Sequence, residues 1–280
     1  ENEKSGNKAT PTPTEPFTFI INEEEKCKGQ TPFLVVLIST TAAELQRRNA
    51  IRKSWGNETA VPGLLRLFLL GVETEGAREE VVLRESEQYR DIIQQDFLDT
   101  YNNLTLKTLM GMRWVASYCS GTRFAMKTDS DIFVNTVYLI EKLLRPLPPH
   151  TQNYFTGHLM KGHRPIRNKN SKWYISEEEF PGNSYHPFCS GTGYVFSGDL
   201  AAKIVNASLM IKHIHLEDVY VGFCLNAKGV EIVSPPHSLF NIHKVPFSPC
   251  AYSKIITSHH IEPHEQMLYW ETLQEKEDTC

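Results

Sequence analysis

Arg123-Phe124-Ala125-Met126-Lys127-Thr128-Asp129-Ser130-Asp131 is the stretch on which the reading of this chain turns. Phe124 to Met126 read as the end of a buried strand, and two carboxylates follow at i and i+2. In extended backbone that spacing places both side chains on one face, so they would converge at a strand end. Two hard oxygen donors held that way suit Mg²⁺ or Mn²⁺ carrying a substrate's phosphates. Asp-x-Asp is also what a polar strand-to-loop turn looks like, so the flanking chain decides its meaning.

Upstream, Pro32-Phe33-Leu34-Val35-Val36-Leu37-Ile38 is a near-continuous apolar run, the pattern of a strand covered on both faces. Ser39 to Thr41 offer an N-cap, and Ala42 to Trp55 fit a helix. Leu64 to Leu70 predicts a second buried strand, Ala77 to Tyr89 a helix and Asp91 to Ile93 a short strand. In Leu104 to Tyr118 the apolar positions Leu106, Leu109, Met112 and Val115 recur at helical spacing. Downstream, Val137 to Leu144 predicts a helix closed by Pro146, Pro148 and Pro149. Strands alternating with helices predict an α/β domain with a mixed, mostly parallel sheet flanked by helices. Ligands in such sheets bind beyond the carboxyl ends of strands, where Asp129 and Asp131 stand.

The second half is less regular. Tyr154 to Gly157 is strand-like, and residues 161–187 form a long basic and aromatic loop of the kind that usually serves function. Cys189-Ser190-Gly191-Thr192-Gly193 is a Gly-rich opening to a strand, and Glu217-Asp218 lead into a helix. Residues 1–16 are polar and carry Pro11, Pro13 and Pro16, the composition of a flexible stem or linker. Residues 17–280 then read as one globular catalytic domain.

A net charge of -4 without a dense Lys/Arg tract gives no electrostatic reason to expect nucleic acid as a partner. The longest apolar run, Phe33 to Ile38, is strand-sized rather than membrane-spanning. The six cysteines are dispersed and lack Cys-x-x-Cys pairs, which disfavours zinc and thioredoxin-like chemistry. With sequons at Asn57, Asn103 and Asn206 as candidate N-glycosylation sites, they point to a secretory, oxidising compartment. The pairing of the cysteines stays open.

Five segments occur in one order: Arg47-Arg48-Asn49-Ala50-Ile51-Arg52-Lys53-Ser54-Trp55-Gly56, Phe68-Leu69-Leu70-Gly71, Lys127 to Asp131, Cys189 to Tyr194, and Glu217-Asp218-Val219-Tyr220-Val221-Gly222. Together they resemble the inverting β1,3-glycosyltransferases, which include β1,3-galactosyltransferases and β1,3-N-acetylglucosaminyltransferases. The wording of Asp91 to Met112 and Cys189 to Ser197 is most like the β1,3-galactosyltransferase branch. The resemblance implies a GT-A-type single domain, a UDP-sugar donor and a divalent metal, Mn²⁺ with Mg²⁺ as the alternative. It also implies a type II Golgi membrane protein whose catalytic domain is lumenal and whose anchor precedes Glu1.

The same resemblance assigns roles to residues. Asp129, Asp131 and His259 would hold the metal. Asp218 would be the base that takes the acceptor's proton, with Glu217 on the acceptor sugar or tuning Asp218. Arg48, Arg52, Lys127, Asp129, Ser130, Gly191 and Gly193 would meet the donor, with Lys127 pairing either with the neighbouring carboxylates or with phosphate. Trp173 and Tyr174 would give the acceptor an aromatic platform, because sugar C–H faces pack on rings. The implied reaction carries galactose from UDP-galactose to the 3-hydroxyl of a terminal β-linked N-acetylglucosamine on protein or lipid. Two alternatives remain open at this point: N-acetylglucosamine transfer from UDP-N-acetylglucosamine, and a carbohydrate-binding or scaffold homologue without catalysis.

Overall fold

The computed structural model describes residues 17–74, 78–236 and 238–275. The expected stem, residues 1–16, lies outside the described residues, as do Cys280 and Ala77, the first residue of one expected helix.

The chain runs β1 (Phe19–Ile21), β2 (Leu34–Ser39), α1 (Leu45–Lys53), β3 (Leu64–Val72), α2 (Glu79–Tyr89), β4 (Ile92–Leu98), α3 (Leu104–Tyr118) and β5 (Phe124–Asp129). There follow β6 (Phe133–Val134), α4 (Thr136–Tyr138), β7 (Phe155–Met160), β8 (Phe188–Ser197), α5 (Asp199–Ser208), α6 (Glu217–Ala227), α7 (Pro249–Tyr252), β9 (Thr257–Ser258) and α8 (Pro263–Glu275). Seven strands form one sheet in the order β1-β4-β3-β2-β5-β8-β7. Its centre, β4-β3-β2-β5, is parallel, and β1, β8 and β7 add to it antiparallel. The mixed α/β sheet flanked by helices is therefore the architecture the alternation predicts.

The unbroken apolar run in β2 has a direct cause. Leu34, Val36 and Ile38 enter the core on one face of the sheet, while Val35 and Leu37 enter the core on the other. Both faces are covered, so neither alternate position is free to be polar. α3 lies with α5 and α6 on the side of Val35 and Leu37, and α1 packs with α8.

Three elements depart from expectation. β4 runs to Leu98 because its polar Gln94 and Gln95 are buried: Gln95 pairs with Phe19 of β1, and Gln94 Nε2 donates to the Gly71 carbonyl at 2.8 Å. β5 does not end at Met126 but continues through Asp129, held between β2 and β8. The helix expected over 137–144 starts at Thr136, where the Asn135 side chain accepts from the Tyr138 N–H at 3.0 Å, and passes into a wider π-type segment at Leu139–Leu144. Cys27 and Cys119 form a disulfide, Cys250 is also disulfide-bonded, and Cys189 and Cys224 are buried free thiols. Among the described residues no helix is long and apolar enough to cross a membrane.

Candidate active site

The extension of β5 changes which side chains share a face. Lys127 and Asp129, not Asp129 and Asp131, are the i and i+2 pair in extended backbone. Lys127 Nζ stands 2.8 Å from Asp129 Oδ1, 2.7 Å from the Gly191 carbonyl and 3.4 Å from Glu217 Oε2. Two of its N–H groups are hydrogen-bonded, to Asp129 and to Gly191, and Glu217 completes the surroundings as an ion-pair partner. Burial opposes the charge on Lys127, yet Asp129 and Glu217 together hold its pKa above the ordinary lysine range. Of the two expected partners of Lys127, the carboxylates are the ones it meets: it is a buried tie between Asp129 and Glu217.

Glu217 and Asp218 arrive from the first turn of α6, which faces the Gly-rich start of β8. Glu217 is buried, accepts from the Tyr194 hydroxyl and leans on Lys127. Burial pushes its carboxyl above the usual range, against the pull of Lys127. Asp218 Oδ2 accepts from the Gly191 N–H at 3.2 Å, and Oδ1 from the Val219 N–H at 2.9 Å. Burial raises its affinity for a proton, and those two backbone N–H groups only partly counter this. A carboxylate that is fixed in place and more basic than usual has the properties of a general base.

Gly191 is required by this packing. A Cβ there would stand 2.8 Å from Glu217 Oε2, and one on Gly193 would press on Met126 and Thr257 at 3.2 Å each. The close approach these glycines permit is thus to carboxylate and core rather than to a sugar.

A second cluster forms where the chain returns. β6 pairs antiparallel with β9, and the Ile261 N–H donates to the Asp131 carbonyl at 2.9 Å. This brings His259 Nε2 to 3.2 Å and His260 Nδ1 to 3.7 Å from Asp131 Oδ2. The candidate ligand atoms of the three lie within 4.8 Å of one another. His259 Nδ1 lies 3.0 Å from the Ile242 carbonyl. With that nitrogen donating, Nε2 is the one left for a metal or a proton. Burial opposes protonation of His259, but Asp131 outweighs it and raises the pKa, while His259 lowers that of Asp131 against its own burial. One carboxylate and two imidazoles make a mixed oxygen–nitrogen set that fits a borderline divalent ion such as Mn²⁺. Asp131 and His259 come together as expected; His260 joins them, and Asp129 instead turns one oxygen to Lys127.

The structure moves other expected donor residues away from any ligand. Arg48 is fully buried: Nε and one terminal nitrogen grip Glu85 at 2.8 and 2.7 Å, and the remaining N–H groups go to Thr40, Thr41 and Ala42. Arg52 is bidentate to Asp91 at 2.9 and 2.8 Å and meets Glu85 at 2.7 Å. Both guanidiniums are spent tying α1 to α2 and to the residue before β4, so a donor-contact role is corrected to a structural one. Ser130 is buried too, its hydroxyl donating to Glu44 at 3.1 Å.

On the acceptor side, Trp173 is 51% exposed in the long loop, and Tyr174 is half-buried. Sequence reasoning missed Tyr101, an exposed ring that shares the Lys172 ammonium with Trp173, at 5.9 and 4.7 Å, and whose hydroxyl is raised in pKa by burial and by Asp218. Tyr101 thus stands against the long loop. An aromatic among polar residues just ahead of α3 was the available signal. Of the sequons, Asn206 is exposed on α5. Asn57 is half-buried with its oxygen accepting from Thr59 and Ala60, and Asn103 donates to the Leu98 carbonyl at 2.8 Å.

A strand end with a raised-pKa aspartate, a lysine-clamped carboxylate pair and a carboxylate–imidazole cluster is the kind of site in which groups are transferred from a phosphate-bearing donor. The Galactosyltransferase family model matches residues 46–236, and this chain belongs to that family. It is 54% identical over 270 residues to beta-1,3-galactosyltransferase 2 of Mus musculus, covering 94% of this chain and 64% of that protein. It is 48% identical over 262 residues to beta-1,3-galactosyltransferase 1 of Mus musculus, covering 93% of this chain and 79% of that protein. The chain therefore spans a little under two thirds of the length of the first of these relatives. Among solved structures, a galactosyltransferase in complex with donor and acceptor sugar analogues is similar at a TM-score of 0.43 and 10% identity, covering 88% of this chain and 97% of that one.

Proposed function

We propose that this chain is the catalytic domain of an inverting, metal-dependent GT-A-type β1,3-galactosyltransferase. It moves galactose from UDP-galactose to the 3-hydroxyl of a terminal β-linked N-acetylglucosamine. The observation that carries this reading is Asp218, a carboxylate of raised basicity fixed by the Gly191 and Val219 N–H groups. The identities to β1,3-galactosyltransferases support the choice of sugar and linkage.

In the proposed reaction the acceptor's O3 attacks the anomeric carbon as the bond from that carbon to UDP breaks, and the O3 proton passes to Asp218. Glu217, held by Tyr194 and Lys127, keeps α6 docked so that Asp218 points into the cleft. Trp173 and Tyr101 present ring faces for the acceptor sugar. Asp131, His259 and His260 would hold Mn²⁺, or Mg²⁺ in its place. Bound there, the ion would act as a Lewis acid that offsets charge on departing UDP. We place the enzyme in the Golgi lumen, anchored by a segment preceding this domain, with glycoprotein or glycolipid acceptors.

The test is a panel of UDP-sugars with a simple N-acetylglucosaminide and linkage analysis of the product by NMR. A β1,3-galactosyl product is expected. Turnover of UDP-N-acetylglucosamine alone would replace the donor assignment, and no turnover of any donor would favour a binding role.

A further inference from the structure

A groove of about 680 Å³ opens beside the acceptor side of the cleft, between the turn before α3, the long loop and the segment leading into α6. Tyr101 lines it, and the Lys172 ammonium lies 5.9 Å over the Tyr101 ring and 4.7 Å over the Trp173 ring, so the groove adjoins the two rings proposed for the acceptor. Its charge is unlike that of the whole chain, whose net charge is -4. Lys169, Lys172, His213 and His215 line it against a single acid, Glu179. That acid is already committed, with Oε2 accepting from the Ser176 N–H at 3.0 Å and hydroxyl at 2.8 Å. Neither lysine is held by a carboxylate among the described residues. Lys169 is exposed, and Lys172 lies over the Trp173 ring at 4.7 Å. His213 adds no charge here, since burial and the neighbouring His215 lower its pKa.

Two unpaired ammoniums, adjoining the rings proposed for the acceptor, form a receptor for an anion on a molecule that already occupies the acceptor site. Resting on the acceptor side proposed above, we infer that this groove binds an anionic substituent, a sulfate ester or a sugar carboxylate, on the sugar that precedes the acceptor's terminal N-acetylglucosamine. Both substituents offer oxyanions to Lys169 and Lys172, and the neutral chain offers none.

Three trisaccharides ending in the same N-acetylglucosamine decide the matter: one neutral, one sulfated and one carboxylated on the penultimate sugar. Binding is measured by calorimetry and transfer from UDP-galactose by kcat/KM. The protein is first trimmed with an endoglycosidase, so that a glycan on Asn103, at the groove's rim, does not fill it. At low salt the charged trisaccharides bind about 5- to 20-fold more tightly than the neutral one, as one or two exposed ion pairs allow. That preference shrinks in high salt. In Lys169→Glu it falls at least threefold while the neutral trisaccharide is unaffected, and Lys172→Glu lowers it further. A gain with either substituent supports the groove, and a gain with only one identifies its source. Equal affinities for all three in the unaltered protein, or a preference that survives both substitutions, overturns the inference. Absence of transfer to all three, with the binding preference intact, would instead overturn the catalytic reading and leave the groove standing.

Discussion

Lys127 Nζ lies 2.8 Å from Asp129 Oδ1, two residues along the same face of β5, and forms an ion pair with Glu217 of α6 at 3.4 Å. One buried cation thus joins β5 to α6, the helix that carries the proposed base. Replacing it by Lys127→Met leaves Glu217 buried without its counter-charge. We expect a loss of stability of about 3–5 kcal/mol, the usual cost of removing one partner from a buried pair, read from the urea midpoint. Transfer falls with it even where the variant stays folded, because α6 loses its tether. A stable Lys127→Met variant with full activity would show that the tie is dispensable.

Acid sensitivity should come from the ion-pair network under α1. Asp91 is fully buried between Arg52 and Arg66, at 2.8 Å from Arg52 Nη2 and 2.9 Å from Arg66 Nη2. Burial alone would raise its pKa, but the Arg52 hydrogen bonds and the Arg52 and Arg66 charges bring it below the ordinary value. Glu265 behaves alike: against partial burial, the Glu262 N–H, Lys244 and Tyr269 pull it down to about 2. A carboxyl with a depressed folded pKa contributes stability that is present above its unfolded pKa. That contribution is lost as pH falls through the folded value. Stability should hold near neutrality and decline below about pH 4. Asp91→Asn should flatten part of that decline while costing about 3 kcal/mol at pH 7. An unchanged acid slope in Asp91→Asn, from urea midpoints across pH, would assign the decline to other groups.

Metal dependence should follow the Asp131–His259–His260 cluster. His259→Ala removes the imidazole whose Nδ1 is fixed against Ile242, and it should weaken Mn²⁺-dependent UDP binding at least tenfold by calorimetry. His260→Ala should act in the same direction but less, since its ring is exposed and 3.7 Å from Asp131. UDP affinity that is the same with and without Mn²⁺ in the unaltered protein would remove the cluster from the donor site.

Much of this was legible in the residues. The boundaries of α3 match its apolar spacing, and the double-faced burial of β2 matches its unbroken apolar run. Asp131 and His259 could be paired only through resemblance, because 128 residues separate them and a two-stranded ladder joins them. Arg48 and Arg52 read as contacts to the sugar-nucleotide donor since their acids, Glu85 and Asp91, lie 37 and 39 residues away in other elements. The pairing of Lys127 with Asp129 was one of two readings for a different reason. Whether Asp129 pairs backwards or forwards depends on one further turn of strand, and β8 supplies it by pairing Gly193 with Thr128. The role of Tyr101 depends on where residues 161–187 fold back, which no local pattern encodes.

Asp218→Asn tests the central claim most directly. The change keeps the side chain's shape and an oxygen for the Gly191 or Val219 N–H, so the fold and UDP affinity should be preserved. What is lost is a group able to take the acceptor's proton. Galactosyl transfer, measured with UDP-galactose and an N-acetylglucosaminide at saturating concentrations, is expected to fall by about 10²–10⁴-fold in kcat, with UDP binding unchanged. A folded Asp218→Asn protein that transfers galactose at the unaltered rate would contradict the account.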